Sequence, residues 1–93
     1  MFFPDWGHRW PLWGRVALRP EHLDLDEDLA GRLAKWVEVW QIELDPIFEV
    51  RWPSAEMGNA WIKEGNKLCA EVQHKVEKLG ITVIPSFSMF APT

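Results

Sequence analysis

The sequence has no tyrosine, one cysteine and three serines, and each shortage closes off a class of chemistry. Without Tyr there is no phenolic general acid. Cys69 has no second thiol for an internal disulfide, and no Cys-x-x-Cys pair exists to hold zinc. Ser54, Ser86 and Ser88 lie in no Gly-x-Ser-x-Gly context, and no Gly-rich loop precedes a helix as phosphate cradling requires. His8, His22 and His74 never fall four residues apart, so no two share a helical face as metal ligands. No apolar run approaches the ~18 residues that span a bilayer, and no signal-peptide pattern opens the sequence. The expectation is a cytoplasmic protein without cofactor, metal or catalytic residue.

What is present is bulk: seven Trp and five Phe in 93 residues, with 47% hydrophobic and 26% charged side chains. That is the composition of one small globular domain over residues 1–93, in which each large side chain carries an unusual share of the stability. Net charge is −4, against a binder that must neutralise phosphates. The charge is uneven. Ten acids face five bases through residue 50, giving −5, and four face five afterwards, giving +1.

Residues 1–19 hold three Trp, two Pro and two Gly without helical period, which reads as a loop leading into a strand over Leu12–Leu18. Pro20 suits a single helical turn before the main helix. Asp24 and Asp26 are alternative N-caps, and Asp24 with Glu27 has capping-box spacing. Leu29, Leu33, Trp36, Val37, Trp40 and Leu44 then form one stripe of a helix over 27–44, which Pro46 ends. Asp45 to Pro53 reads as a packed loop. Ser54 caps a second helix over 54–79, striped by Met57, Trp61, Leu68, Val72, Val76 and Leu79. Gly65 falls on that stripe as a place for another backbone or a Trp ring to come close, and Cys69 sits at its margin as a small apolar residue. Gly80 closes the helix, and Ile81–Ile84, ended by Pro85, reads as a strand over 81–85 pairing with Leu12–Leu18. The expected fold is α+β: a two-helix antiparallel hairpin on a short antiparallel β ribbon.

Five carboxylates, Glu21, Asp24, Asp26, Glu27 and Asp28, fall within eight residues at a helix start, and Glu43, Asp45 and Glu49 lie at its far end. Acids at a helix N-terminus satisfy free amides and the macrodipole, and the excess forms a surface able to attract a basic partner. Capping alone and capping with partner binding both stand. Trp6, Trp10 and Trp13 raise the choice between core and interface and are read as core first, while the Phe87–Phe90 tail is open between the two.

Trp10-Pro11-Leu12-Trp13, Leu25-Asp26-Glu27-Asp28-Leu29, Arg32-Leu33 with Trp36, and Trp61 with Glu64-Gly65 and Leu68 resemble a family of small Trp-rich bacterial proteins. Some similar proteins are immunity proteins of contact-dependent growth inhibition and other polymorphic toxin systems. The resemblance runs from Trp10 to Ile84. Asp26-Glu27-Asp28 stands where many related sequences have Ser-Pro-Glu. It implies a non-catalytic, monomeric protein whose partner is a cognate toxin, with no nucleic acid or membrane. A nuclease toxin has a basic surface, which the eight carboxylates named above would occlude. The alternative is a small self-associating adaptor or regulatory protein, meeting its copy through Val39, Ile42 and the Phe87–Phe90 tail.

Overall fold

The computed structural model describes residues 1–5, 7–14, 16–44 and 52–92, with Leu44 described by its backbone alone. A 3-10 turn, Pro20–Leu23, leads into helix α1, Glu27–Val39, which continues as a π-helical turn over Trp40–Leu44. Helix α2, Ala55–Val76, ends in a 3-10 turn at Glu77–Leu79, and a last short turn covers Ser88–Phe90. Of the expected packed loop Asp45 to Pro53, residues 45–51 lie outside the described residues, and Trp52 is buried.

The helix starts follow from side-chain oxygens that take up otherwise unpaired amides. Asp26, not Asp24, caps α1, with its Oδ1 accepting from the Leu29 N–H at 2.7 Å. Asp24 instead closes the preceding turn in the left-handed region at φ 57°, a conformation that a short polar side chain tolerates. Ser54 caps α2 by accepting from the Met57 N–H at 3.1 Å. Gly80, at φ 73°, ends the turn after α2.

The fold is all-α, which corrects the α+β expectation: among the described residues there is no β-strand and no sheet, only isolated bridges. The expected pairing of Leu12–Leu18 with Ile81–Ile84 does not form. Phe2 lies between the two segments, bridging Leu12 on one side and Pro85 on the other. Pro4, Pro11 and Pro85 flank or occupy these bridges without an N–H to extend a ladder. Leu12–Leu18 is spent on itself, with the Leu18 N–H donating to the Leu12 carbonyl at 2.8 Å. On the other segment the Gln73 side chain stands in for a strand, donating to the Ile81 carbonyl at 2.9 Å and accepting from the Val83 N–H at 2.7 Å.

Trp36 of α1 and Trp61 of α2 form the centre of the core. Their rings stack at 4.2 Å and 5°. Each indole N–H donates to the other's backbone carbonyl, at 2.9 and 3.0 Å. Phe2, Trp52, Phe87 and Phe90 surround the pair through ring contacts of 5.1 to 6.1 Å. The tail is therefore core at Phe87, half-buried at Phe90, and exposed at Met89.

The buried stripe of α2 is Gly58, Trp61, Gly65, Leu68, Cys69, Val72 and Val76. Met57 and Leu79, expected on it, are exposed. The two glycines belong because rings lie where their side chains would be. A Cβ on Gly65 would stand 2.5 Å from Trp36 Cζ2 and 2.9 Å from Phe87, and one on Gly58 would stand 2.5 Å from Trp52 Cδ1. Gly31, in the interior of α1, has nothing within 4 Å of its own Cβ position.

Two glycine substitutions should therefore have opposite signs. Gly31→Ala is expected to stabilise by about 0.5–1 kcal/mol through helix propensity and a less flexible unfolded chain. Gly65→Ala should lose that gain to overpacking and destabilise by about 1–3 kcal/mol net. Urea denaturation of both variants checks this, and equal signs would mean that the Trp36 ring can move aside.

Candidate functional site

The fold gathers Glu21, Asp24, Asp26, Glu27 and Asp28 around the N-terminal end of α1, all exposed. They are not equivalent. Asp26 is the cap, and its second oxygen lies 3.9 Å from Lys75 Nζ. Asp28 Oδ2 accepts from Arg32 Nε at 3.0 Å, one turn along the helix. Glu21 makes a long pair with Arg19, at 3.5 Å. The carboxylates of Asp24 and Glu27 make no ion pair or side-chain hydrogen bond among the described residues. Glu21, Asp24 and Glu27 thus form the part of the cluster not committed to holding the helix.

Glu43 is also exposed, on the π-helical turn. Sixteen residues separate it from Glu27, about 24 Å at ~1.5 Å rise per residue, so it belongs to a separate patch. Asp45 and Glu49 lie outside the described residues, as does Trp6.

Arg32 joins the acidic end of α1 to α2. Its Nη1 and Nη2 donate to the two carboxylate oxygens of Glu71 at 2.7 and 2.9 Å, a bidentate pair, while Nε holds Asp28. These bonds to Arg32 hold the Glu71 carboxyl below the usual range, and the same pair pushes the Arg32 guanidinium higher still. Sequence reading missed this link, because nothing local relates two residues thirty-nine positions apart.

The N-terminal aromatics divide. Trp10 is half-buried and donates from its indole to the Ala30 carbonyl at 3.0 Å, fastening its loop to α1. Trp13 stacks on Phe3 at 4.9 Å and donates to the Phe3 carbonyl at 3.0 Å. Neither is a free surface ring. Of the expected self-association surface, Ile42 and Met89 are exposed, Val39 and Phe90 are half-buried, and Phe87 is internal.

Cys69 is buried, and burial pushes its thiol up, away from nucleophilic reactivity. Among the described residues no group of three or more His, Cys, Asp or Glu side chains is placed to hold a metal. No helix among them is long and apolar enough to cross a membrane.

A family profile described as Serratia CdiI immunity protein-like matches residues 2–84. The chain belongs to this family, the immunity proteins of bacterial contact-dependent growth inhibition. No curated protein and no solved structure matches it.

The Arg32–Glu71 pair sets a pH dependence. A carboxyl whose pKa is lowered by folding contributes fully above its unfolded value of about 4.3 and loses the contribution as pH falls through the lowered folded value. Arg32 stays charged throughout and adds no slope. Both side chains are 36% exposed, so Glu71→Gln is expected to cost no more than about 1 kcal/mol at neutral pH. The gap to the parent should narrow below about pH 4. Denaturant midpoints at pH 7, 5 and 3 test this, and a constant gap would show that the ionic pair is not its source.

Proposed function

We propose that this member of the immunity family protects the cell that makes it by binding one cognate toxin, a nuclease, and covering a basic surface with carboxylates. Family membership supports the immunity role. The observation that carries the acidic mode of binding is that all five acids at the start of α1 are exposed and that Glu21, Asp24 and Glu27 take no part in the cap or the Arg32 link, which use Asp26 and Asp28. A nuclease must bind phosphates, so its active surface is rich in cationic donors, and fixed carboxylates can occupy positions where phosphates would sit.

This inhibition requires no bond to form or break. Opposite charge raises the rate of encounter, and buried contacts around the charges set the lifetime of the complex. Glu43, Asp45 and Glu49 would extend the surface if the toxin reaches along α1, with Glu43 about 24 Å from Glu27. The protein acts in the cytoplasm as a monomer until it meets the toxin, with no catalytic activity of its own and no nucleic-acid or membrane ligand.

The test begins with capture of the partner from a producing cell through a high-salt wash, followed by assay of the purified partner for nucleic-acid cleavage. Glu21→Lys, Asp24→Lys and Glu27→Lys together should slow association at low salt by about tenfold or more, with the difference shrinking as salt is raised. Asp28→Lys should instead lower stability as well, because it removes a partner of Arg32. An association rate unchanged by the triple substitution would remove the acidic surface from the mechanism. Recovery of the bait alone would argue against a toxin partner.

A further inference from the structure

The same folding that leaves acids on the outside of the Pro20–Leu23 turn collects bases on another side of it. A groove of about 580 Å³ runs between the loop Gly7–Trp10 and the segment Ala17–His22. His8, Arg9, Arg19 and His22 line it; among the described residues no carboxylate belongs to the lining, and that of Glu21 stands beside it, 3.5 Å from Arg19 Nη1. Its walls are held in place. The indole of Trp10 is fixed to the Ala30 carbonyl, and the Arg9 guanidinium lies 5.1 Å from the centre of that ring. The Arg19 N–H donates to His22 Nδ1 at 3.0 Å, so the neutral His22 ring carries its proton on Nε2, as a donor.

We infer that this groove receives a carboxylate-bearing segment of the partner protein, so that the interface carries both signs of charge. The inference rests on the reading of the chain as a toxin-binding protein. Two guanidiniums and two imidazoles in one groove offer donors to carboxylate oxygens, and Arg can do so with two bonds at once. A polyphosphate chain would need a longer positive track. Glu21 and Asp24 stand two and five residues from Arg19, and the net charge of −4 opposes such a ligand. A short acidic segment needs only local complementarity.

The two-signed arrangement has a purpose in recognition. One acidic surface attracts any basic protein, whereas adjacent patches of opposite sign accept only a partner with the mirrored order. Arg19 and Glu21, flanking Pro20, place the change of sign within a single turn.

The test is a titration of the isotope-labelled full chain with a terminally blocked hexaglutamate peptide, read from the Trp10 indole and the His8 and His22 rings. At low salt these signals should shift together while those of Trp36 and Trp61 stay in place. Arg9→Glu with Arg19→Glu should weaken the effect by about tenfold or more. Arg9→Gln with Arg19→Gln gives the same comparison should the charge reversal disturb folding. No shift at millimolar peptide would overturn the inference, and so would inorganic phosphate or an oligouridylate shifting the signals at lower concentration than the peptide. The result is separable from the acidic mechanism, because the titration requires no toxin. A silent groove beside an intact effect of Glu21, Asp24 and Glu27 would remove only the groove.

Discussion

The protein is organised around two tryptophans that each supply what the other lacks. An indole buried on a helix interface brings a large apolar surface and one N–H that must be paired, and leaving that donor unpaired costs about 1–3 kcal/mol. Trp36 and Trp61 solve this mutually, each donating to the other's main chain across the α1–α2 interface. The bond fixes position and rotation of the helices at once, because ring and carbonyl can meet only in one register. The Trp36 carbonyl also accepts from the Trp40 N–H, where α1 gives way to the π-helical turn. An extra donor on a helix carbonyl is a recognised cause of such departures from the regular ladder. Trp10, Trp13 and Trp52 repeat the device at the periphery, each donating its indole N–H to a distant carbonyl. Among the described residues no polar or charged residue is buried, so indoles do the work that buried Asn, Ser or Tyr do elsewhere.

This arrangement explains what could be read from the sequence and what could not. The Leu29, Leu33, Trp36 and Val37 stripe was legible because those residues are apolar at helical spacing, and all four are buried. A close approach to Gly65 was legible from a glycine on the apolar stripe. Gly58 was not, because the apolar stripe shows no gap at its turn. Met57, next to it, attracted the assignment instead, although the Trp52 ring rests on Gly58. The β ribbon was misread for a related reason. Ile81-Thr82-Val83-Ile84 has strand composition, but a strand needs a partner, and the Gln73 side chain and Phe2 had already taken the available backbone groups. Local propensity is silent about such competition.

Charge shows the same limit more sharply. A tally of −5 for the first fifty residues describes an acidic half, yet folding sorts those residues by face. Of the five exposed acids at the start of α1, two are used by the cap and by Arg32 and three are not, and Arg9 and Arg19 converge on a groove nearby. The number of charges was available from the sequence, whereas their commitments were not. Glu71, which no charge pattern singles out, proves to be the bidentate partner that anchors the acidic end of α1 to its neighbour. The family assignment gives these details their context. Under the acidic mode of binding proposed above, which carboxylates are already engaged decides which can act.

The meeting of Phe2 with Phe87, at 5.8 Å between rings, also bears on timing. The two ends of an eighty-six-residue stretch face each other inside the core, and Phe87 also packs against Trp36 and Trp61. The space between α1 and α2 therefore closes only when segments this far apart in sequence meet, and contacts of such separation are slow to form. A chain lacking the Phe87 ring would leave the sides of Trp36 and Trp61 that it covers open to water.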